Sequence, residues 1–184
     1  MAKYKIVLVD TDVISHFIAT GNISQLAKIF MPNILCVLDE VYKEACRHPW
    51  DPDRKKKVDA WLSSIKSKPI PFPYHVDKVK EEFYRIKKED GLKDKGERAC
   101  MAMARYYHEV IASSNFSDIK LYCDANGIEY LGCLDILFIA IKKGLMTETE
   151  CDDFIREAIS LNHARFPVST MKDYAPDRDL SWWY

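Results

Sequence analysis

Strand-like and helix-like patterns alternate along these 184 residues, which predicts an α/β fold built on a mainly parallel sheet. Two further observations support this class. The run Ile6-Val7-Leu8-Val9 is apolar throughout, as a strand covered on both faces should be, and it stops abruptly at Asp10-Thr11-Asp12. With 48% hydrophobic and 12% aromatic residues the chain can bury a substantial core, so residues 1–184 are expected to form one domain, with 161–184 as a C-terminal extension.

In chain order, strands are expected over residues 4–9, 34–38, 119–123 and 128–131. Helices are expected over 11–19, 23–30 and 39–47, the last ended by His48-Pro49-Trp50-Asp51-Pro52, because proline disfavours helix in the residue before it. A charged helix follows over 52–67. With three prolines, residues 68–73 suit an edge or an extended loop and not a central strand. Helices then fit 75–89, 95–112, 133–143 and 147–160, with Gly91 and Gly144 as breaks or caps.

Composition narrows the function classes. Lys and Arg total 27 against 28 Asp and Glu, so no overall cationic field advertises nucleic-acid binding, and any such affinity is local. The six cysteines (36, 46, 100, 123, 133, 151) show no C-x-x-C spacing and read as reduced thiols, without disulfides or zinc. No signal peptide is recognisable, and Asp135 breaks the apolar stretch 128–141, so a cytoplasmic protein with no membrane partner is expected.

Four acids occupy suggestive places. Asp10 and Asp124 end expected strands, Glu44 lies in the helix after the second strand, and Glu97 opens the apolar helix running through Arg98 to Ala104. Carboxylates gathered without enough neighbouring cations repel one another unless a divalent ion intervenes, and Mg2+ and Mn2+ prefer such oxygen ligands. With a phosphodiester as substrate, such ions polarise the phosphoryl oxygen and generate the attacking hydroxide.

The order of these motifs is strand-Asp10-Thr11-x-Val13-Ile14, then Val41-x-x-Glu44, then Gly96-Glu97 leading into a buried helix, then strand-Asp124. It resembles the PIN domain family of metal-dependent ribonucleases. Tyr130-Leu131-Gly132-Cys133-Leu134-Asp135-Ile136-Leu137, with Ala140 and Lys143-Gly144-Leu145, is similar to a prokaryotic branch with toxin-like members. The resemblance spans about residues 4–160. It implies a three-layer α/β/α sandwich with four to five strands, and Asp10, Glu44, Glu97 and Asp124 as catalytic ligands of one or two Mg2+ or Mn2+ ions. It further implies an RNA substrate and a small antitoxin as partner. Thr11 and Asp12 would stand behind the ligands. Lys93, Lys95 and Arg98 flank the acids as candidate substrate contacts. The sequence departs from the family pattern at Asp12, commonly Asn, and after Asp124, where only Ala125, Asn126 and Gly127 precede the next apolar run.

Each feature also has a structural reading. Asp10 or Asp12 fits a helix N-cap, Asp94-Lys95-Gly96-Glu97 a capping box, Glu44 or Glu40 a solvated helix acid, and Asp124 a turn before Asn126-Gly127. Asp135 suits the first turn of a buried helix. The run Arg54-Lys55-Lys56-Lys57, with Lys87, Lys88, Lys93 and Lys95, is either an RNA guide or a set of solvated helix faces. The five histidines lack paired ligand spacing and read as structural or surface groups. The aromatic end Leu180-Ser181-Trp182-Trp183-Tyr184 fits docking on a partner, a homodimer contact, or a strap over its own domain. Beside the nuclease stand two alternatives: a haloacid-dehalogenase-like phosphatase with Asp10 as nucleophile, and a PIN-like binding module without catalysis. The phosphatase reading falters because residues 15–19 continue as helix where a glycine-containing flap is needed, and no late Gly-Asp-x-x-x-Asp is present.

Overall fold

A computed structural model describes residues 4–89 and 91–184. Four strands, β1 (Ile6–Val9), β2 (Ile34–Cys36), β3 (Val110–Ala112) and β4 (Tyr130–Leu131), form a parallel sheet in the order β2-β1-β3-β4. Val7 of β1 lies in register with Leu35 on one side and Val110 on the other. Val7, Leu8 and Val9 are therefore sheltered by neighbouring strands as well as by helices, which is why this segment is apolar without alternation.

The helices are α1 (Thr11–Ala19), α2 (Ile23–Phe30), α3 (Asp39–Ala45), α4 (Arg54–Ser64), α5 (Asp77–Glu89), α6 (Lys95–Tyr107), α7 (Phe116–Asn126), α8 (Cys133–Lys142) and α9 (Glu148–Asn162). One group packs around α6, namely α3, α5 and α7, and another around α8, namely α2 and α9, with α1 meeting both α3 and α9. This is the α/β fold on a parallel sheet that the alternating pattern predicts. Among the described residues no helix is long and apolar enough to cross a membrane, and all six cysteines are free thiols.

Two expected elements are corrected. The helix expected over 95–112 ends at Tyr107, where His108 adopts a left-handed backbone (φ 58°), and Val110–Ala112 becomes the strand beside β1. Residues 119–123, expected as a strand, belong to helix α7. Ile119, Tyr122 and Cys123 are buried while Leu121 is 78% exposed, a three-to-four-residue period that a strand cannot produce. The proline-rich segment behaves as an edge, with a single bridge from Ile70 to Leu38.

Several readings are resolved by packing. Asp135 is wholly buried in the first turn of α8, accepting from Gly132 N (2.8 Å) and from the Tyr174 hydroxyl (2.6 Å). The aromatic tail straps its own chain. Trp183 is buried with its ring 6.0 Å from Phe30, and the indole N–H groups of Trp182 and Trp183 both donate to Glu129 Oε1. In the basic run, Arg54 is buried and donates to Ala45 O and Ser15 Oγ. The three lysines after it pair on the helix surface, Lys55 with Asp59, Lys56 with Asp53 and Lys57 with Asp51.

Candidate functional site

Parallel strands end together, and the crevice opens where the chain leaves neighbouring strands for different helices. Here those strands are β1 and β3, whose ends are tied by Asp10 N donating to Ala112 O (2.9 Å). Asp10 follows β1 and caps α1, accepting from Thr11 N (2.7 Å) through one carboxylate oxygen. Its other oxygen accepts from Ser113 Oγ (3.1 Å), just past β3. The cap predicted as an alternative is thus present, and it leaves the second oxygen aimed across the strand ends. Helix α1 begins at Thr11 itself, so no flap intervenes after the acid motif.

Asp12 accepts from Val13 N (2.7 Å) and from Ser114 N (2.9 Å), pinning the turn after β3 against α1. Glu97 stands in the first turn of α6. Asp94 caps that helix by accepting from Glu97 N (2.9 Å), but no capping box is formed, and the Glu97 carboxylate instead meets Asn115 Nδ2 at 3.4 Å. A cleft of about 500 Å³ is lined by Asp10, Asp12, Asp94, Glu97 and Asn115, with Lys93 at its lip. His16 also lines it, buried and joined to Asn162 through Nδ1 (2.7 Å).

Glu44 stands one layer back. Its oxygens accept from Lys95 N (3.1 Å), Gly96 N (3.1 Å) and Thr11 Oγ1 (3.3 Å), so it holds the start of α6, where unpaired N–H groups attract negative charge. Asp124 is not brought to these acids. It sits on the exposed flank of α7 and lines a separate shallow depression with Lys120, Tyr130 and Arg178. The position it was expected to fill, past the strand next to β1, is held by Ser113, Ser114 and Asn115. Arg98 is also corrected as a substrate contact: it is buried, its guanidinium bonded to Asp94 O and Phe83 O and stacked on the Phe83 ring at 4.3 Å. Lys93 and Lys95 are exposed beside the cleft.

The electrostatics express this crowding. Burial, then the charges of Asp12 and Glu97, push the Asp10 carboxyl well above the usual carboxylate range. Burial raises Asp12 to about 6. Burial and the neighbouring Asp94 raise Glu44 to about 7. Burial lowers His16 to about 4, assisted by the Arg54 charge. Among the described residues no three Asp, Glu, His or Cys side chains stand close enough to form a ready-made metal cage. The donor set is nonetheless all oxygen plus one amide, which suits a hard dication, and burial disfavours the ionised state of Asp10 and Asp12 in the absence of a countercharge.

Sequence reasoning missed Asp94, Ser113 and Asn115 as members of the cleft. The signal was the short apolar trio Val110-Ile111-Ala112 followed by Ser-Ser-Asn, a strand and its turn hidden behind a helix that ends without glycine or proline.

No family model and no curated protein matches the chain. Among solved structures, its fold is similar to a chain in the crystal structure of VapBC2 from Rickettsia felis bound to a DNA fragment from their promoter. The TM-score is 0.52 at 12% sequence identity, and the match covers 69% of this chain and 98% of that one. At this identity the likeness is one of fold.

Proposed function

We propose that this chain is a PIN-like ribonuclease that hydrolyses RNA phosphodiester bonds with Mg2+ or Mn2+. The observation that carries the reading is the Asp10–Glu97 pair, two acids from distant stretches of chain brought to one cleft at the ends of β1 and β3, each repelling the other's charge. In this reading Asp10 and Glu97 would hold the cation, with Asp12 and Asp94 also lining the cleft. When bound, the cation would polarise the phosphoryl oxygen and lower the pKa of a water. Ser113 and the Thr11 amide fix the Asp10 carboxylate, and Asn115 orients Glu97. Glu44 anchors the turn from which Glu97 projects, and Lys93 and Lys95 offer charge to the RNA backbone.

The fold shared with a chain of the VapBC2 complex supports a toxin–antitoxin setting, in which a small antitoxin closes the cleft. A second reading, a binding module without catalysis, draws on the position of Asp124 outside the cleft and of Asn115 within it. One assay separates the two: a mixed labelled RNA pool incubated with wild-type protein and Asp10→Asn, in Mg2+, in Mn2+ and in chelator. The nuclease reading expects cleavage that requires both the metal and Asp10. Cleavage that persists in chelator or in the variant rejects that mechanism, and retention of RNA without cleavage favours the module.

A further inference from the structure

Beside the acidic cleft runs a second groove of about 550 Å³, walled on one side by the C-terminal extension and on the other by the turn after β3 and the start of α8. Asn115 lines both cavities. The walls are joined as well, since Phe166 of the extension meets the His16 ring of the acidic cleft edge-on at 5.8 Å. The extension is held in place by the hydrogen bond from the half-buried Tyr174 to Asp135 and by Arg178, which donates to Tyr130 O (2.9 Å) and stacks over the Tyr130 ring. Lining the groove are the half-buried aromatics Phe166 and Tyr174, the exposed Arg165, and Lys120 and Arg178, which share the carboxylate of Asp177 (3.0 and 2.8 Å).

Aromatic surface edged by positive charge, opening onto a phosphodiester-cleaving centre, is the chemistry that receives an unstacked nucleobase and its phosphate. We propose that this groove is a nucleotide subsite that binds single-stranded RNA, the base packing against Phe166 and the adjoining phosphate meeting Arg165. The inference rests on the ribonuclease reading for its substrate class. It adds that the C-terminal extension supplies the residues that contact the base and its phosphate, Phe166 and Arg165. A duplex cannot present a base to Phe166 without unpairing it.

The test is anisotropy of a fluorescein-labelled single-stranded RNA dodecamer, and of the same strand annealed to its complement, titrated with protein in chelator. Wild-type protein is expected to bind the single strand more tightly than the duplex. Phe166→Leu, which keeps apolar bulk and removes the ring, is expected to weaken single-strand binding about tenfold and leave duplex binding unchanged. Arg165→Ala, at an exposed position, is expected to weaken binding and to reduce the salt dependence by about one phosphate contact. Melting curves verify folding, and Arg165→Ala carries the test if Phe166→Leu is unstable. Wild-type affinity for the single strand in both variants overturns the subsite, as a groove occupied by a protein segment would also require. Cleavage assays in Mn2+ keep the two readings apart. An absent nuclease leaves the binding losses intact, whereas an absent subsite leaves KM for RNA unchanged in the variants.

Discussion

Gly96 and Glu44 approach so closely that a methyl group on Gly96 would lie 2.5 Å from Glu44 Oε2 and 3.2 Å from Val41 Cγ2. The absence of a side chain lets α3 and α6 meet at the depth where Glu44 accepts from two amides of the first helical turn. Helix propensity alone favours alanine over glycine by about 1 kcal/mol. The displaced carboxylate and its lost bonds outweigh that gain, so Gly96→Ala is expected to cost about 1–3 kcal/mol in urea unfolding. A neutral or stabilising result would show that Glu44 does not organise this turn.

Asp10→Asn is expected to separate stability from activity. The variant keeps an acceptor for Thr11 N and a partner for Ser113, and it removes a buried charge that Asp12 and Glu97 oppose. At pH 8 in chelator its melting temperature should exceed that of wild type, while cleavage in Mn2+ falls about a hundredfold or more. A variant that is less stable in chelator would mean that the negative charge is already compensated within the fold.

The pH dependence follows from the direction of these shifts. A carboxyl raised on folding contributes stability that is complete below its unfolded pKa and lost as pH rises through the folded one. For Asp12 the window runs from 3.8 to about 6, and for Glu44 from 4.5 to about 7. His16 acts in the opposite sense, losing its contribution as pH falls from 6.5 to about 4. The difference between wild type and Asp12→Asn isolates the carboxyl, and in chelator the wild type should lose stability relative to the variant between pH 4 and 6. Protons and dications compete for the same oxygens, so Mn2+ should raise the melting temperature more at pH 8 than at pH 5. An Mn2+ effect independent of pH would place its binding elsewhere.

The part of the site nearest the amino terminus was legible because local and tertiary signals agree there. An apolar run stopped by acids reads as a buried strand and its end, which singles out Asp10, and the apolar helix running through Arg98 to Ala104 singles out Glu97 at its start. Glu44 is singled out by the sequence as a metal ligand, whereas in the structure it accepts from two backbone amides of α6 and from Thr11 Oγ1. The segment 105–126 was misread because its cues are ambiguous at short range. Tyr106-Tyr107-His108 carries no breaker, yet His108 turns left-handed and frees a three-residue strand. Ile119 to Cys123 is rich in strand-forming residues, but Gly127, at φ 63°, caps a helix there. Misplacing β3 carried the fourth acid to Asp124 and concealed Ser113 and Asn115.

That misreading yields a direct test of the fold. In a strand, residues 119 and 121 would share a face and be buried together, and truncating either would cost a similar amount. In α7 they point apart, with Ile119 at 0% and Leu121 at 78% exposure. Ile119→Ala should therefore cost about 2–5 kcal/mol through lost burial and a residual cavity. Leu121→Ala removes atoms that already face solvent and should stay within about 0.5 kcal/mol of wild type. Denaturant unfolding of the two variants gives the comparison. Equal losses would return the segment to the sheet and Asp124 to a strand end, whereas unequal ones keep Ser113 and Asn115 as the residues facing Asp10 and Glu97.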